Sequence, residues 1–193
     1  LQDGWMVIGL SRRTEPDRER LRYISVDLLD RADCAAKLAE LTGVTHIFYA
    51  AFQATSGMAA DYAANVVPNR DMLVNAASAI SNAAETLRRV VLVTGTKTYG
   101  VHLGPYKTPA REDDPRLPVP NYYYDQVDWL CAFQRGKAWD WVELRPQTLC
   151  GFAPGTPMSL MPAIAVYAAL SKARGEPLRF PGSLAAYDCI YQV

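Results

Sequence analysis

The sequence predicts a doubly wound α/β fold built on a parallel sheet, and three observations support this prediction. Short apolar runs of the kind that form strands buried on both faces recur along the chain. Longer segments with helical periodicity separate these runs, which is the pattern of successive βαβ units. The 193 residues suffice for one domain with a sizeable core.

The predicted strands are apolar runs bounded by polar residues or glycine. The clearest is residues 89–95, where four consecutive aliphatic residues precede a turn that contains glycine. The first run, residues 5–10, lies between Gly4 and Ser11 and is typical of a buried parallel strand. The remaining strands are predicted at residues 22–26, 45–50 and 141–144, with a last short strand at 178–180.

Helices are predicted where apolar residues recur at helical intervals. Asp30 opens an alanine- and leucine-rich stretch that extends to Leu41. A longer helix is predicted over residues 59–84, with Pro68 early in it. The other helices are predicted at residues 122–135 and 159–174, and the proline- and glycine-rich segments 100–120 and 146–157 are predicted to be loops.

Composition argues against several classes of protein. Lys plus Arg and Asp plus Glu both total 20, which provides no electrostatic reason to expect a nucleic acid or a membrane surface as partner. The longest apolar stretch, residues 161–170, is far shorter than the roughly 20 residues that span a bilayer. We therefore expect a soluble protein. The cysteines form no Cys-x-x-Cys pair, so we expect no metal site. Sparse, unpaired cysteines suggest a reducing compartment, so we expect a cytoplasmic protein with free thiols. The four cysteines are Cys34, Cys131, Cys150 and Cys189.

Residues that follow the predicted strands are candidates for ligand binding, because open parallel sheets bind ligands beyond the carboxyl ends of their strands. Ser11, Arg12 and Arg13 follow the first strand, at a position where a fold selective for NAD usually carries an acidic residue. Arginines pair with phosphate oxygens, so these residues point to NADP(H). The alternative is a solvated basic loop, because three more arginines occur before residue 23.

Two further strand ends carry candidate residues. Asp27 and Leu28 follow the second strand, in position to face a nucleotide base, although a carboxylate there also complements the dipole of a helix that begins nearby. Thr94 and Gly95 end the strand that precedes Lys97. The Lys97 ammonium is suited to bind ribose hydroxyls and to favour the ionised form of a neighbouring tyrosine. The alternative for Lys97 is an exposed turn lysine.

Three consecutive tyrosines, Tyr122, Tyr123 and Tyr124, stand at the start of a predicted helix. Such rings most often pack in a core. Only one face of a helix lies in the core, however, so we expect at least one tyrosine to point elsewhere. Beside a nicotinamide, this tyrosine would stabilise an oxyanion or deliver a proton during reduction of a carbonyl or an enone.

Several motifs occur together in a fixed order. They are Ser11-Arg12-Arg13, Asp27-Leu28, Thr94-Gly95-Thr96-Lys97-Thr98-Tyr99 with Gly104-Pro105, Asn121-Tyr122-Tyr123-Tyr124-Asp125-Gln126-Val127-Asp128, Arg145-Pro146 with Gly151-Phe152-Ala153-Pro154, and Ala186-Tyr187-Asp188. Over nearly the whole chain, this set resembles the progesterone 5β-reductase and iridoid synthase-like (PRISE) short-chain dehydrogenases/reductases. The family has histidine where this chain has Thr98, phenylalanine at Tyr122 and glutamate at Val127.

The resemblance implies a Rossmann-like fold of the extended short-chain type, with residues 1–193 forming a partial NADP(H)-binding domain. The central first strand and its glycine-rich turn are absent from this sequence, and the substrate-binding region begins at about residue 146. By resemblance, Tyr123 is the catalytic tyrosine and Lys97 is its partner. The usual Tyr-x-x-x-Lys pattern is not present, since Val127 occupies the lysine position. The resemblance also places Arg145 and Pro146 among the cofactor-binding residues.

The reaction implied by the resemblance is reduction of an activated C=C bond of an enone or enal by hydride from NADPH. A small-molecule enone or enal is then the partner, and a homodimer is left open. Two alternatives remain from the residues themselves. One is an extended short-chain epimerase or ketoreductase that acts on a sugar nucleotide or a ketone. The other is a truncated, non-catalytic relative that binds nucleotide weakly or not at all.

Overall fold

The computed structural model describes residues 4–54, 62–147, 149 and 160–184. The described residues fall into two compact units, one within Leu1–Thr94 and Pro118–Leu144, the other within Gly95–Leu117 and Arg145–Val193. Some of the predicted features lie outside the described residues. They are Cys150, Cys189, the segment Gly151-Phe152-Ala153-Pro154 and the segment Ala186-Tyr187-Asp188.

All strands among the described residues belong to the first unit. They are β1 (Val7–Ser11), β2 (Leu21–Ser25), β3 (His46–Tyr49), β4 (Arg89–Val93) and β5 (Asp140–Leu144). β1 pairs with β2, and β4 lies between β3 and β5, with every pair parallel. Within each sheet the strands therefore direct their carboxyl ends to one edge, as predicted for this fold class.

The strands form a two-stranded and a three-stranded sheet, whereas a single sheet was the expectation. Among the described residues, β1 pairs only with β2, and the outer edge of β3 has no strand against it. The rings of Trp5 and His46 meet edge to face with centroids 5.0 Å apart, so the two sheets approach each other without sharing a hydrogen-bonded ladder.

The helices begin close to their predicted starts. They are α1 (Arg31–Leu38), α2 (Tyr62–Ala83), α3 (Tyr122–Gln134) and α4 (Leu160–Ala173). The Asp30 side chain accepts hydrogen bonds from the backbone N–H groups of Ala32 and Asp33, which caps α1. The Asn121 side chain accepts a bond from the Tyr123 backbone N–H and caps α3 in the same way. Both caps are short polar residues that the sequence places directly before an apolar periodic segment.

Two details differ from the predicted elements, whereas Pro68 lies early in α2 as expected. α1 ends at Leu38 rather than Leu41. The last strand, predicted at residues 178–180, is wrong: the segment is irregular, and no described strand pairs with it. A short apolar run forms a strand only when a neighbour offers a ladder of hydrogen bonds, and Leu178 and Phe180 are instead exposed.

The core of the first unit lies between the sheets and the helices α1, α2 and α3. Leu73, Val90, Leu92 and Leu130 are fully buried in it. β4 is buried on both faces, which explains its run of four aliphatic residues. No helix among the described residues is long and apolar enough to cross a membrane.

Candidate functional site

Ser11, Arg12 and Arg13 lie where β1 ends, as predicted. The Arg13 backbone N–H donates to Ser11 Oγ at 3.0 Å, and the Ser25 hydroxyl donates to the Arg12 carbonyl at 3.3 Å. These bonds set the backbone of the turn and leave both arginine side chains exposed. Within the described part of the chain, neither guanidinium forms an ion pair with a carboxylate. Two such cations at a strand end suit the 2′-phosphate of NADP(H).

Asp27 and Leu28 follow β2 at the same edge of the two-stranded sheet. Asp27 is exposed, and its Oδ1 accepts from the Leu29 backbone N–H at 3.0 Å. Asp30, three residues later, caps α1, and the alternative role of Asp27 near the helix start stays open. The Leu28 carbonyl accepts from the Asn75 side chain at 2.9 Å, which anchors the turn to α2.

Thr94 lies at the end of β4 and is 7% exposed. Its hydroxyl donates to Glu143 Oε1 at 2.7 Å, and its backbone N–H donates to the Leu144 carbonyl at 2.9 Å. Both contacts join the end of β4 to the end of β5. Thr94 therefore holds two strand ends together, and its predicted contact with the cofactor stays a prediction. Glu143 was not among the predicted site residues.

In the second unit, Gly95 precedes a short 3₁₀ helix, Thr96–Tyr99, that carries Lys97. The Gly95 carbonyl accepts from the Thr98 backbone N–H at 3.0 Å, and the Lys97 carbonyl accepts from Gly100 at 3.2 Å. Gly100 has φ +88°, and a Cβ added there would collide with the Leu117 side chain. The backbone on both sides of half-buried Lys97 is thus closely determined.

Arg145 packs on this turn through Tyr99. Its Nη1 donates to Tyr99 Oη at 2.9 Å and to the Glu112 carbonyl at 3.5 Å, and its guanidinium lies 5.3 Å from the centre of the Tyr99 ring. Tyr99 also stacks with Tyr106, whose ring is nearly parallel with centroids 6.4 Å apart. The sequence placed Arg145 and Pro146 with the cofactor. The structure brings Arg145 to the turn that bears Lys97, and Pro146 directly follows it.

His102 is a neighbour of Lys97 that the sequence did not single out. Burial lowers the pKa of the His102 imidazole, and the positive charge of Lys97 lowers it further. Among the described residues, no group of three or more histidine, cysteine, aspartate or glutamate side chains is arranged to hold a metal. Lys97 lies in the 3₁₀ helix Thr96–Tyr99 and His102 lies in the turn that follows, so no strand or α-helix periodicity links the two residues.

The three tyrosines at the start of α3 are not equivalent. Tyr122 and Tyr124 are each 9% exposed, whereas Tyr123 is only partly buried. The expectation that at least one of the three points away from the core is therefore confirmed. One turn later, the buried Gln126 side chain donates to the Asn69 carbonyl at 2.9 Å and ties α3 to α2.

Tyr123 belongs to the first unit and Lys97 to the second. Tyr123 presents a partly buried side chain on a capped helix start. Lys97 presents its side chain from a tight turn that Arg145 and Tyr99 support. The partnership of the two side chains stays a prediction.

A family model described as a PRISE-like Rossmann-fold domain matches residues 14–191. The chain belongs to this family. Membership agrees with the parallel strands and with the order of the motifs, and it confirms the resemblance on which the assignment of Tyr123 and Lys97 depends.

The PRISE-like chain is 39% identical over 196 aligned residues to (S)-8-oxocitronellyl enol synthase from Nepeta cataria. It is 37% identical over 196 aligned residues to 3-oxo-Delta(4,5)-steroid 5-beta-reductase from Arabidopsis thaliana. Each alignment covers 95% of this chain and 49% of the relative. The chain thus spans about half the length of the curated relatives it matches.

Solved structures support the fold of the PRISE-like chain. UDP-glucose 4-epimerase from Brucella ovis, solved with NAD, superposes with a TM-score of 0.64 at 18% identity, over 87% of this chain and 55% of that one. The Thermus thermophilus UDP-glucose 4-epimerase, solved with NAD, has a TM-score of 0.62 at 18% identity, over 94% of this chain and 61% of that one. At such identities the likeness concerns the fold alone.

Proposed function

We propose that the protein containing this chain is an NADPH-dependent reductase of the activated C=C bond of an enone or enal. The observation that carries the proposal is Tyr123, a partly accessible phenol between two buried tyrosines on a capped helix start. The family supports it, because one relative is named as a reductase of a 3-oxo-Delta(4,5)-steroid, a ketone conjugated to a double bond.

In this proposal Tyr123 donates a hydrogen bond to the carbonyl oxygen of the substrate. NADPH, when bound, supplies the hydride that adds to the β-carbon. As that bond forms, the π electrons of the C=C bond move toward the carbonyl and the oxygen takes the enolate charge, which the Tyr123 hydroxyl stabilises. Protonation at the α-carbon then completes the saturated product. Lys97 supports the tyrosine and binds ribose hydroxyls, as the resemblance implies.

The remaining candidate residues bind or shape the cofactor site. Arg12 and Arg13 pair with the 2′-phosphate, because their guanidinium groups are exposed and no described carboxylate neutralises them. Ser11 holds the backbone of that turn through its bond to Arg13. Asp27 and Leu28 face the base. The other residues proposed for the cofactor site lie at or just after the ends of β4 and β5: Thr94, Gly95, Arg145 and Pro146.

We also propose that the protein works in the cytoplasm. Cys34 and Cys131 are free thiols, and Cys34 is buried in the core, where burial raises the pKa of its thiol to about 11. Unpaired cysteines of this kind suit a reducing compartment.

The test is steady-state reduction of a 3-oxo-4-ene steroid and of a small enal by the full-length protein, with NADPH and with NADH. We expect consumption of NADPH with formation of the saturated carbonyl compound, and a loss of about 10²-fold or more in kcat for Tyr123→Phe. Tyr23→Phe, on β2, is the matched control and keeps full activity. Undiminished turnover by Tyr123→Phe contradicts the role of Tyr123. An alcohol or an epimer as product points instead to a ketoreductase or an epimerase.

A second variant tests whether Arg12 and Arg13 select NADPH over NADH. Replacing Arg12 and Arg13 with glutamine should weaken NADPH binding by roughly tenfold or more and leave NADH binding nearly unchanged, because only NADPH carries the 2′-phosphate. Thermal shift of the full-length protein with each cofactor measures this, since a ligand that binds the folded state raises the melting temperature. An equal loss for the two cofactors contradicts phosphate recognition by these arginines.

A further inference from the structure

The Arg145 guanidinium joins two segments of the second unit. Its Nη1 donates to Tyr99 Oη at 2.9 Å and to the Glu112 carbonyl at 3.5 Å. The same guanidinium lies 5.3 Å from the centre of the Tyr99 ring. Tyr99 is thus contacted both at its phenol oxygen and at its ring. Arginine suits this double contact, because its planar cation is a directed donor and also interacts with aromatic rings.

The surroundings of Arg145 differ from those of Arg12 and Arg13. The side chains of Arg12 and Arg13 are exposed, and no described carboxylate pairs with them. The Arg145 side chain is half-buried and bonds to groups of its own unit. Arg12 and Arg13 are therefore presented to solvent, where a phosphate can reach them, whereas Arg145 is committed to contacts within the protein. This contrast favours an internal role for Arg145.

Tyr99 connects Arg145 to Lys97. It is the last residue of the 3₁₀ helix Thr96–Tyr99 and follows Lys97 by two positions. The Gly100 backbone N–H, directly after Tyr99, donates to the Lys97 carbonyl at 3.2 Å and closes the turn. Short 3₁₀ helices have poorer hydrogen-bond geometry than α-helices, so the place of such a turn depends on contacts from outside it. The contact of Arg145 with Tyr99 is one of this kind.

The loop that carries Glu112 has internal contacts of its own. Asp114 Oδ2 accepts from the Arg111 backbone N–H at 2.7 Å, and the Asp114 carboxylate pairs with the Lys107 ammonium. These contacts close the loop around Glu112, whose carbonyl accepts from Arg145. Arg145 therefore connects the 3₁₀ helix to a loop that is closed by its own bonds.

We propose that Arg145 is a positioning residue that holds Lys97 in place through Tyr99 and touches neither substrate nor cofactor. The inference rests on the proposed function, which gives Lys97 its role. Arg145 stands among the residues proposed to bind or shape the cofactor site, and this inference assigns it the shaping role. Loss of Arg145 leaves the Lys97 ammonium chemically intact but misplaced, and small displacements of a group at an active site lower the rate.

The first measurement follows the Lys97 amine and needs no substrate. In the full-length protein, reductive methylation with isotope-labelled formaldehyde marks the lysine amines, and Lys97→Arg identifies the Lys97 signal by NMR. We expect this signal to move toward those of exposed lysines in Arg145→Met, and by less in Tyr99→Phe, which keeps the ring. Arg174→Met is the matched control, because Arg174 is exposed and directly follows α4. An unmoved Lys97 signal in Arg145→Met overturns the proposal.

The second measurement is a double-mutant cycle on activity, which separates positioning from a merely structural contribution. With an enone as substrate, Arg145→Met should lower kcat/KM for NADPH by roughly tenfold in the protein with Lys97, and by less than about twofold in the Lys97→Met variant. The reason is that a residue that acts only through Lys97 has no effect once Lys97 is removed. Equal losses in the two backgrounds overturn the positioning role, because direct cofactor binding and loss of structure both persist without Lys97.

Tyr99→Phe keeps the test decisive if Arg145→Met does not fold. It removes the phenol oxygen that accepts from Arg145 and retains the aromatic ring. We expect roughly a threefold loss of kcat/KM for NADPH with Lys97 present and no loss in the Lys97→Met variant. A loss of the same size in both backgrounds contradicts transmission through Tyr99.

The two measurements also distinguish the inference from the proposed function. If the wild-type protein reduces the enone and the cycles show equal losses, the positioning role is wrong and the proposed function stands. If the wild-type protein reduces no enone, the proposed function fails, and the NMR signal of Lys97 still decides whether Arg145 holds Lys97 in place.

Discussion

The start of α3 and the 3₁₀ helix Thr96–Tyr99 each carry one candidate catalytic side chain, and they are held in different ways. At α3 the supporting groups are buried polar side chains, Asn121 beside Tyr123 and Gln126 one turn later. At the 3₁₀ helix the support comes from Arg145 and its partly buried contact with Tyr99.

This difference indicates which of the two candidate catalytic side chains depends on the packed core for its position. A buried polar group that loses its partner is expensive, whereas a partly exposed one can bond to water instead. The position of Tyr123 is therefore linked to the global stability of the first unit. The turn that carries Lys97 depends on a few local contacts, and such regions open without global unfolding.

The largest effect is expected from a core residue of α3. Leu130 is fully buried, so Leu130→Ala should lower the free energy of unfolding by about 2–5 kcal/mol. Leu103→Ala is the matched control, because Leu103 is 57% exposed and its truncation should change stability by less than about 0.5 kcal/mol. Urea unfolding measures both. Similar losses for the two variants contradict the dependence of α3 on the core.

A variant of Asn69 tests how much buried polar side chains contribute to the stability of the first unit. Its Oδ1 accepts from the Gln53 backbone N–H at 2.9 Å, and its Nδ2 donates to the carbonyls of Gln53 and Asn65 at 2.8 Å each. Asn69→Ala removes these three buried bonds and should lower the free energy of unfolding by about 2–4 kcal/mol. Asn75→Ala removes one bond to the Leu28 carbonyl and should have about half that effect or less. A smaller loss for Asn69→Ala than for Asn75→Ala would show that burial does not decide the difference.

A variant of Arg145 tests how the 3₁₀ helix Thr96–Tyr99 is supported. Arg145→Lys loses the planar contact with the Tyr99 ring and most of the directed bond to its hydroxyl. Global stability should fall by no more than about 1 kcal/mol. Hydrogen exchange at the Thr98 and Gly100 amides, which close the turn, should accelerate by roughly fivefold. Arg174→Lys is the control, and unchanged exchange in Arg145→Lys contradicts the proposed support.

The smallest effect concerns an exposed ion pair between β4 and β5. Arg89 Nε and Nη2 donate to Asp140 at 2.6 and 2.7 Å, and these bonds hold the pKa of the Asp140 carboxyl below its ordinary value of 3.8. A lowered folded-state pKa means that the stabilisation is complete well above pH 3.8 and is lost as the pH falls through the folded-state value. Asp140→Asn should remove this acid-dependent part of the stability, and salt should weaken the effect. Unfolding at neutral and acidic pH measures it, with Asp113→Asn as control.

Much of the fold could be predicted because burial leaves a local record in the sequence. β4 is buried on both faces, so it consists of aliphatic residues without alternation. Asp30 and Asn121 are short polar residues directly before apolar periodic segments, and both cap helices. The run at residues 178–180 resembles a strand equally well, but a run of residues does not reveal whether a neighbouring strand exists.

The candidate site was predictable to a lesser degree. The motif order identified the family, which the family match confirms, and the roles of Tyr123 and Lys97 stay predictions. The contacts around them were not predictable. Thr94 and its partner Glu143 are 49 residues apart, and Arg145 and Tyr99 are 46 residues apart, so no local periodicity links the members of either pair.

Apart from the strand wrongly predicted at residues 178–180, the sequence by itself determined the order of strands and helices and the family, because each depends on residues that are close along the chain or on motifs in a fixed order. Only the tertiary structure decided which of three adjacent tyrosines is accessible and that Tyr122 touches Tyr123. The physical reason is that the exposure of a side chain is set by what packs against it. For Tyr122, that partner is Phe52, which is remote in sequence.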